Sequence, residues 1–132
     1  MTDSLQLRGL RGATTSSENT VQAIRDAVNE LVEALMDQNN LSPQQLVSVT
    51  FSVTADLDAS FPAATARHRP GWDAVALLDV QQMAVQGDLA RCIRLLAHAW
   101  LPATQPLHHP YLRGAMKLRP DRSGHNLSLI HI

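Results

Sequence analysis

Cysteine is almost missing from these 132 residues. Cys92 stands alone, so no intramolecular disulfide can form, and such usage fits a reducing cytosol. An excess of one charge is missing too. Eleven Lys and Arg against twelve Asp and Glu leave a net charge of -1, which gives no electrostatic reason for nucleic acid or an acidic membrane surface as a partner. No uncharged apolar run is long enough to cross a bilayer. Met1-Thr2-Asp3-Ser4 lacks the basic stretch and apolar core of a secretory signal, so a soluble, cytoplasmic protein is expected. There is no G-x-S-x-G and no Walker or dinucleotide glycine loop. The six histidines form no H-x3-H pair, and Cys92 has no companion ligand at standard spacing. Neither a metal nor a cofactor is expected.

What is present is an ordinary globular balance, 45% hydrophobic and 17% charged, in a length that suits one domain over residues 1–122. Leu5, Leu7 and Leu10 alternate with polar groups and predict a strand over 5–11, running into a Gly-Ala-Thr-Thr loop. Val21, Ile24, Val28, Leu31, Val32 and Leu35 recur at helical spacing and predict a helix over 20–38, ended by Asn39-Asn40. Ser42-Pro43 opens one short turn. Val47, Val49, Phe51 and Val53 alternate with hydroxyl residues as a second strand. Phe61 stands at the entrance of a short helical piece over 62–67, broken at Pro70-Gly71, and 75–78 reads as a buried strand. Residues 92–101 are apolar on both faces and predict a central strand, ended by Pro102. Ala115, Met116 and Leu118 are read as a last short strand. The fold class is therefore α+β, with about five strands against one long helix and a short helical turn. The tail 123–132 does not fit this style. It resembles translated sequencing-adaptor sequence and is expected to be either non-native or disordered.

The remaining signal is a set of arginines at element ends: Arg11, Arg67, Arg94 and Arg119. Arg94 is the anomaly, a fixed cation inside an apolar strand, which must snorkel or meet an anion. An internal carboxylate, Asp79 or Asp88, is one candidate partner. A small polyanionic ligand is the other, because guanidinium binds carboxylates through a planar, always-charged fork.

Several separated motifs, in order, carry a resemblance. They are Arg8-Gly9-Leu10-Arg11-Gly12-Ala13-Thr14-Thr15, Phe61-Pro62-Ala63 with Arg67, Gly71-Trp72, and Gln81 with Met83. Leu89 with Cys92-Ile93-Arg94, Tyr111-Leu112 and Leu118-Arg119-Pro120-Asp121 complete the series. Over residues 7–121 the chain resembles the AroH class of monofunctional chorismate mutases. The resemblance implies a mixed sheet in each subunit and a homotrimer assembled as a pseudo-α/β barrel, with active sites between subunits. It implies the Claisen rearrangement of chorismate to prephenate, on the way to phenylalanine and tyrosine, without cofactor. By residue matching, Arg11, Arg94 and Tyr111 line the pocket from one subunit, and Phe61 and Arg67 come from its neighbour. Leu118 borders the ring, and Arg119 lies near the mouth. Where the family has glutamate this chain has Gln82, and where it usually has cysteine this chain has Asp79. These two are expected to meet the ring hydroxyl of the substrate together and keep one negative charge in the pocket. Ala64 replaces a lysine of the family at the mouth. The competing readings are a non-catalytic anion-binding trimer and an imine deaminase of related architecture.

Overall fold

The computed structural model describes residues 4–118. The expectations for Arg119 and for the 123–132 tail lie outside the described residues. Four strands form one sheet: β1 (Leu5–Thr15), β2 (Leu46–Val53), β3 (Ala76–Gln81) and β4 (Cys92–Pro102), in the order β1-β4-β2-β3. β4 runs antiparallel to both β1 and β2, while β2 and β3 are parallel, so the sheet is mixed. A parallel pair needs a crossover, and the connection carries the short helix α2 (Pro62–Arg67).

The long helix α1 (Val21–Gln38) is the element whose cause is plainest. Its apolar spacing buries Ile24, Val28, Leu31, Val32 and Leu35 against the sheet. Thr20 caps its start in an extended conformation, its hydroxyl accepting from the Ala23 N–H at 3.1 Å. Asn39, buried at the other end, donates to the carbonyls of Leu35 at 3.0 Å and His108 at 2.8 Å. Its own amide oxygen accepts from the His108 N–H at 2.8 Å, tying the helix end to the segment that leads to Tyr111. Leu10, Val49, Phe51, Leu95 and Ala97 alternate along their strands to meet the helix, with Trp72 closing the core beside them.

No helix of the described residues covers the other face of the sheet. By register, Leu7 pairs with Trp100, Arg11 and Thr50 with Leu96, and Leu78 with Thr50, so these side chains share that face. Leu7 is 51% exposed, Trp100 47% and Leu78 58%. β4 is central, as its doubly apolar sequence implies, yet one of its two apolar faces is bare.

Three expectations need correction. β1 does not end at residue 11: it pairs with β4 as far as Thr15 and Cys92. Within that extension Gly12 lets the Pro110 segment pass close by: a Cβ there would stand 3.1 Å from the Pro110 carbonyl oxygen and 3.2 Å from Leu31 Cδ1. Residues 76–81 form an edge strand with Leu78 and Val80 exposed on the bare side, not a buried one. The fifth strand is a 3-10 turn, Arg113–Lys117. Arg113 enters that turn at φ +52° with its guanidinium on Glu30 at 2.9 Å and on the Thr15 carbonyl at 3.1 Å. Pairing along this stretch is a single parallel bridge between Ala13 and Tyr111. Among the described residues no helix is long and apolar enough to cross a membrane.

Candidate active site

Antiparallel register places Arg94 directly opposite Ala13 on one side and Ser52 on the other. Arg11 lies two residues back along β1, on the same face. Tyr111 arrives from the chain's return: the Ala13 N–H donates to the Pro110 carbonyl at 3.0 Å and the Leu112 N–H to the Ala13 carbonyl at 2.9 Å. Arg11, Arg94, Tyr111, Thr50, Ser52 and Leu96 thereby border one cavity of about 290 Å³.

Arg94 is half-buried, and its Nη2 stands 3.0 Å from Asp88 Oδ1. Its Nε is buried without a hydrogen-bond partner. Burial alone would depress the guanidinium, but the neighbouring Cys92 sulfur and the Asp88 carboxylate outweigh it and hold the cation above its ordinary value. Burial also pushes the Cys92 thiol up, with Arg94 opposing, so Cys92 is neutral at pH 7 and the true charge partner is Asp88. The pairing with an internal carboxylate thus exists, and room for a guest remains beside it.

The other expected residues lie outside the wall of this cavity. Gln82 follows β3, its N–H donating to the Val53 carbonyl at 2.7 Å and its Oε1 accepting from the Ser52 hydroxyl at 3.0 Å. Asp79 pairs in register with buried Phe51, so it points toward α2 and away from Arg94. Its Oδ1 accepts from the Ala63 N–H in the first turn of α2 at 3.0 Å. Burial raises its pKa, against the Ala63 hydrogen bond and the positive charge of Arg67. Phe61, 70% exposed, and Asp79 border a cleft of about 540 Å³ that shares no residue with the Arg94 cavity. Arg67 is exposed in the last turn of α2, and Leu118 closes the 3-10 turn half-buried. A single protomer therefore assembles Arg11, Arg94 and Tyr111, with Gln82 reaching them through Ser52. It does not bring Phe61, Arg67 or Asp79 to them.

Two cations and a phenol around a small cavity, on a helix-backed mixed sheet, invite comparison with known proteins. The family described as Chorismate mutase type I matches residues 7–122. The chain belongs to that family. It is 36% identical over 120 residues to the chorismate mutase AroH of Bacillus subtilis (strain 168), covering 90% of this chain and 94% of that one. It is 42% identical over 118 residues to the chorismate mutase AroH of Thermus thermophilus, covering 87% and 95%. A solved chorismate mutase from Clostridium thermocellum superposes with a TM-score of 0.79 at 37% identity, covering 83% of this chain and 98% of that one. The fold and the reaction class, an isomerase acting on chorismate, follow from membership.

Seen as a chorismate mutase pocket, the cavity contains two residues that sequence reading passed over, Thr50 and Ser52. They belong to the hydroxyl side of β2, which reads as a solvent face. The signal that could have found them is their place across from Arg94 and Leu96.

Proposed function

We propose that this chorismate mutase acts as a cytoplasmic homotrimer whose reaction sites are completed between subunits. In each site, Arg11, Arg94 and Tyr111 of one protomer would face the cleft of Phe61 and Asp79 on the next, with Arg67 beside it. The bare apolar sheet face supports assembly, because patches of this kind on a soluble protomer mark contact surfaces. The division of the expected residues among separate openings supports it as well.

The rearrangement needs no nucleophile, metal or general base. The C–O ether bond of chorismate breaks and a C–C bond forms within one molecule, and no proton is exchanged with the protein. What a protein can supply is confinement of the dianion in its folded reactive conformer and a fixed positive charge where electrons accumulate. Arg11, with Arg67 of the neighbouring protomer, holds the carboxylates. Tyr111 and Leu118 confine the substrate's frame. Because C–O cleavage runs ahead of C–C formation, negative charge grows on the ether oxygen, and the Arg94 cation meets it without reorganising. Asp79 and Gln82 receive the ring hydroxyl. One observation carries the reading: two arginines from adjacent strands, one of them held by a carboxylate in a half-buried position, open onto the same cavity as Tyr111.

The test is mixing purified full-length chain with chorismate and following loss of its absorbance together with appearance of prephenate. A rate no higher than in buffer would end the proposal, and turnover of 2-iminopropanoate in its place would favour a deaminase. Within an active enzyme, Asp79→Ala should damage turnover while Gln82→Glu should not improve it; the reverse pattern removes Asp79 from the site.

A further inference from the structure

The Arg94 guanidinium has one carboxylate within ion-pair distance among the described residues, and it comes from a loop, not from a strand. Asp88 is gripped from two directions. Its Oδ1 accepts from the Leu89 N–H at 2.8 Å and from Arg94 Nη2 at 3.0 Å. The loop around it is closed by a turn and anchored beyond it. The Asp88 N–H donates to the Val85 carbonyl at 3.0 Å, and Gly87 makes the turn between them at φ +84°. Three residues on, the Arg91 N–H donates to Asp56 Oδ2 at 2.9 Å and Arg91 Nε to the Ser16 carbonyl at 3.1 Å. Both partners of the pair are largely shielded, with side-chain exposures of 28% for Arg94 and 20% for Asp88. This is unlike a solvated surface pair, where two long side chains meet intermittently.

An arginine stem is flexible, and its rotamer freedom must be given up before the guanidinium can serve as a fixed charge. Gln82, the polar side chain that reaches Ser52 across from Arg94, is neutral and cannot hold a cation by charge. Building on the chorismate mutase reading above, we infer that Asp88 is the positioning residue for Arg94. It fixes Nη2 from the loop side, so that the cation already faces the cavity before substrate enters. Asp88 does not border the Arg11–Tyr111 cavity and touches no reacting atom; it acts through Arg94 alone. Its negative charge dampens the field of Arg94, and the gain in orientation exceeds that loss.

The experiment compares Asp88→Ala and Asp88→Asn with wild type in the full chain, by steady-state kinetics with chorismate, thermal unfolding and solution mass. Alanine removes both the charge and the acceptor, whereas asparagine keeps an acceptor for the Leu89 N–H and for Arg94. The expected result is a kcat lower by about 30- to 100-fold in Asp88→Ala and by about 3- to 10-fold in Asp88→Asn, with KM within about threefold of wild type in both. Solution mass should be unchanged. A kcat for Asp88→Ala equal to or above wild type would overturn the inference, since the pair would then be idle or inhibitory. A rise in KM at constant kcat would overturn it too, because that marks uniform binding. If Asp88→Ala does not fold, Asp88→Asn decides by the same two numbers. A wild-type chain that leaves chorismate untouched would refute the function itself, whereas an active wild type with indifferent Asp88 variants refutes only this role.

Discussion

Leu7→Asp separates assembly from folding. Leu7 lies on β1 opposite Trp100, four residues from Arg11 and outside the wall of the Arg94 cavity. It is 51% exposed, so the protomer has already buried about half of it. Complete burial of a leucine is worth about 1.5–3 kcal/mol, so covering the remaining half in an assembly contributes about 1 kcal/mol per copy, or about 3 kcal/mol per trimer. Aspartate forfeits that and places an unpaired carboxylate against Trp100, at a further cost of about 2 kcal/mol or more per copy. The sum approaches about 9 kcal/mol per trimer, or about six decades in the assembly constant. The protomer should hardly notice, because substitutions at exposed positions usually stay within about 0.5 kcal/mol. Light scattering behind size exclusion, circular dichroism and chorismate turnover, all at one concentration, read the three effects. The expected outcome is a native spectrum, the mass of one chain, and turnover reduced in step with the mass. A monomer with undiminished turnover would refute the shared-site reasoning, and an intact trimer would show that the bare face is not where the copies meet.

Other perturbations have equally definite outcomes. Arg94→Ala should lower kcat by about 10²- to 10³-fold, the scale of a lost oxyanion donor, and Arg94→Lys should recover only part, since an ammonium cannot bond Asp88 and a substrate oxygen with the same fork; equal activity of the two variants and wild type would count against the cation. Asp79 should give stability an acid-side slope. Its pKa in the folded chain lies above the unfolded value of 3.8, so the native state holds the proton more tightly and stability falls as pH rises through the interval just above 3.8. Asp79→Asn, which keeps an acceptor for the Ala63 N–H, should flatten that slope in urea titrations between about pH 3.5 and 6 and lose no stability at neutrality; a steeper slope would be contrary to the burial argument. Thr20→Ala should cost about 1 kcal/mol by chemical denaturation through loss of the α1 cap, and no change would mean that the Ala23 N–H finds water equally well.

Much of the architecture is legible in residue order, and the failures have physical reasons. α1 could be read almost to the residue, since eighteen positions of one period agree, although the cap falls on Thr20 and not among the capping side chains of 14–19. The short apolar group at 115–118 could not, because three residues carry no usable period, and Arg113 in a left-handed conformation sends the chain into a 3-10 turn. The partner of Arg94 was undecidable between Asp79 and Asp88 for a subtler reason. Strand parity settles it: Asp79 pairs with Phe51 on the helical side, and Arg94 with Ser52 on the bare side. One residue of register exchanges the two faces, and no local pattern reports it. Phe61 and Arg67 could be placed at the two ends of α2, yet in the proposed trimer what they face is supplied by a second copy of the chain.

Gly12 never reaches the cavity with a side chain, yet the position of Tyr111 depends on it. The return segment is fastened to β1 by main-chain bonds from Ala13, and it lies so close over residue 12 that one methyl group would meet the Pro110 carbonyl at 3.1 Å. Side chains of the same segment add to this clasp: His109 Nδ1 accepts from the Arg11 N–H at 2.9 Å, and Gln105 Nε2 donates to the Asn39 carbonyl at 3.0 Å. A single added carbon at position 12 would press on the clasp, and the Pro110 carbonyl or the Leu31 side chain would have to give by a few tenths of an ångström. Tolerance for change along this stretch is therefore set by backbone proximity, at a residue that brings no side-chain chemistry of its own.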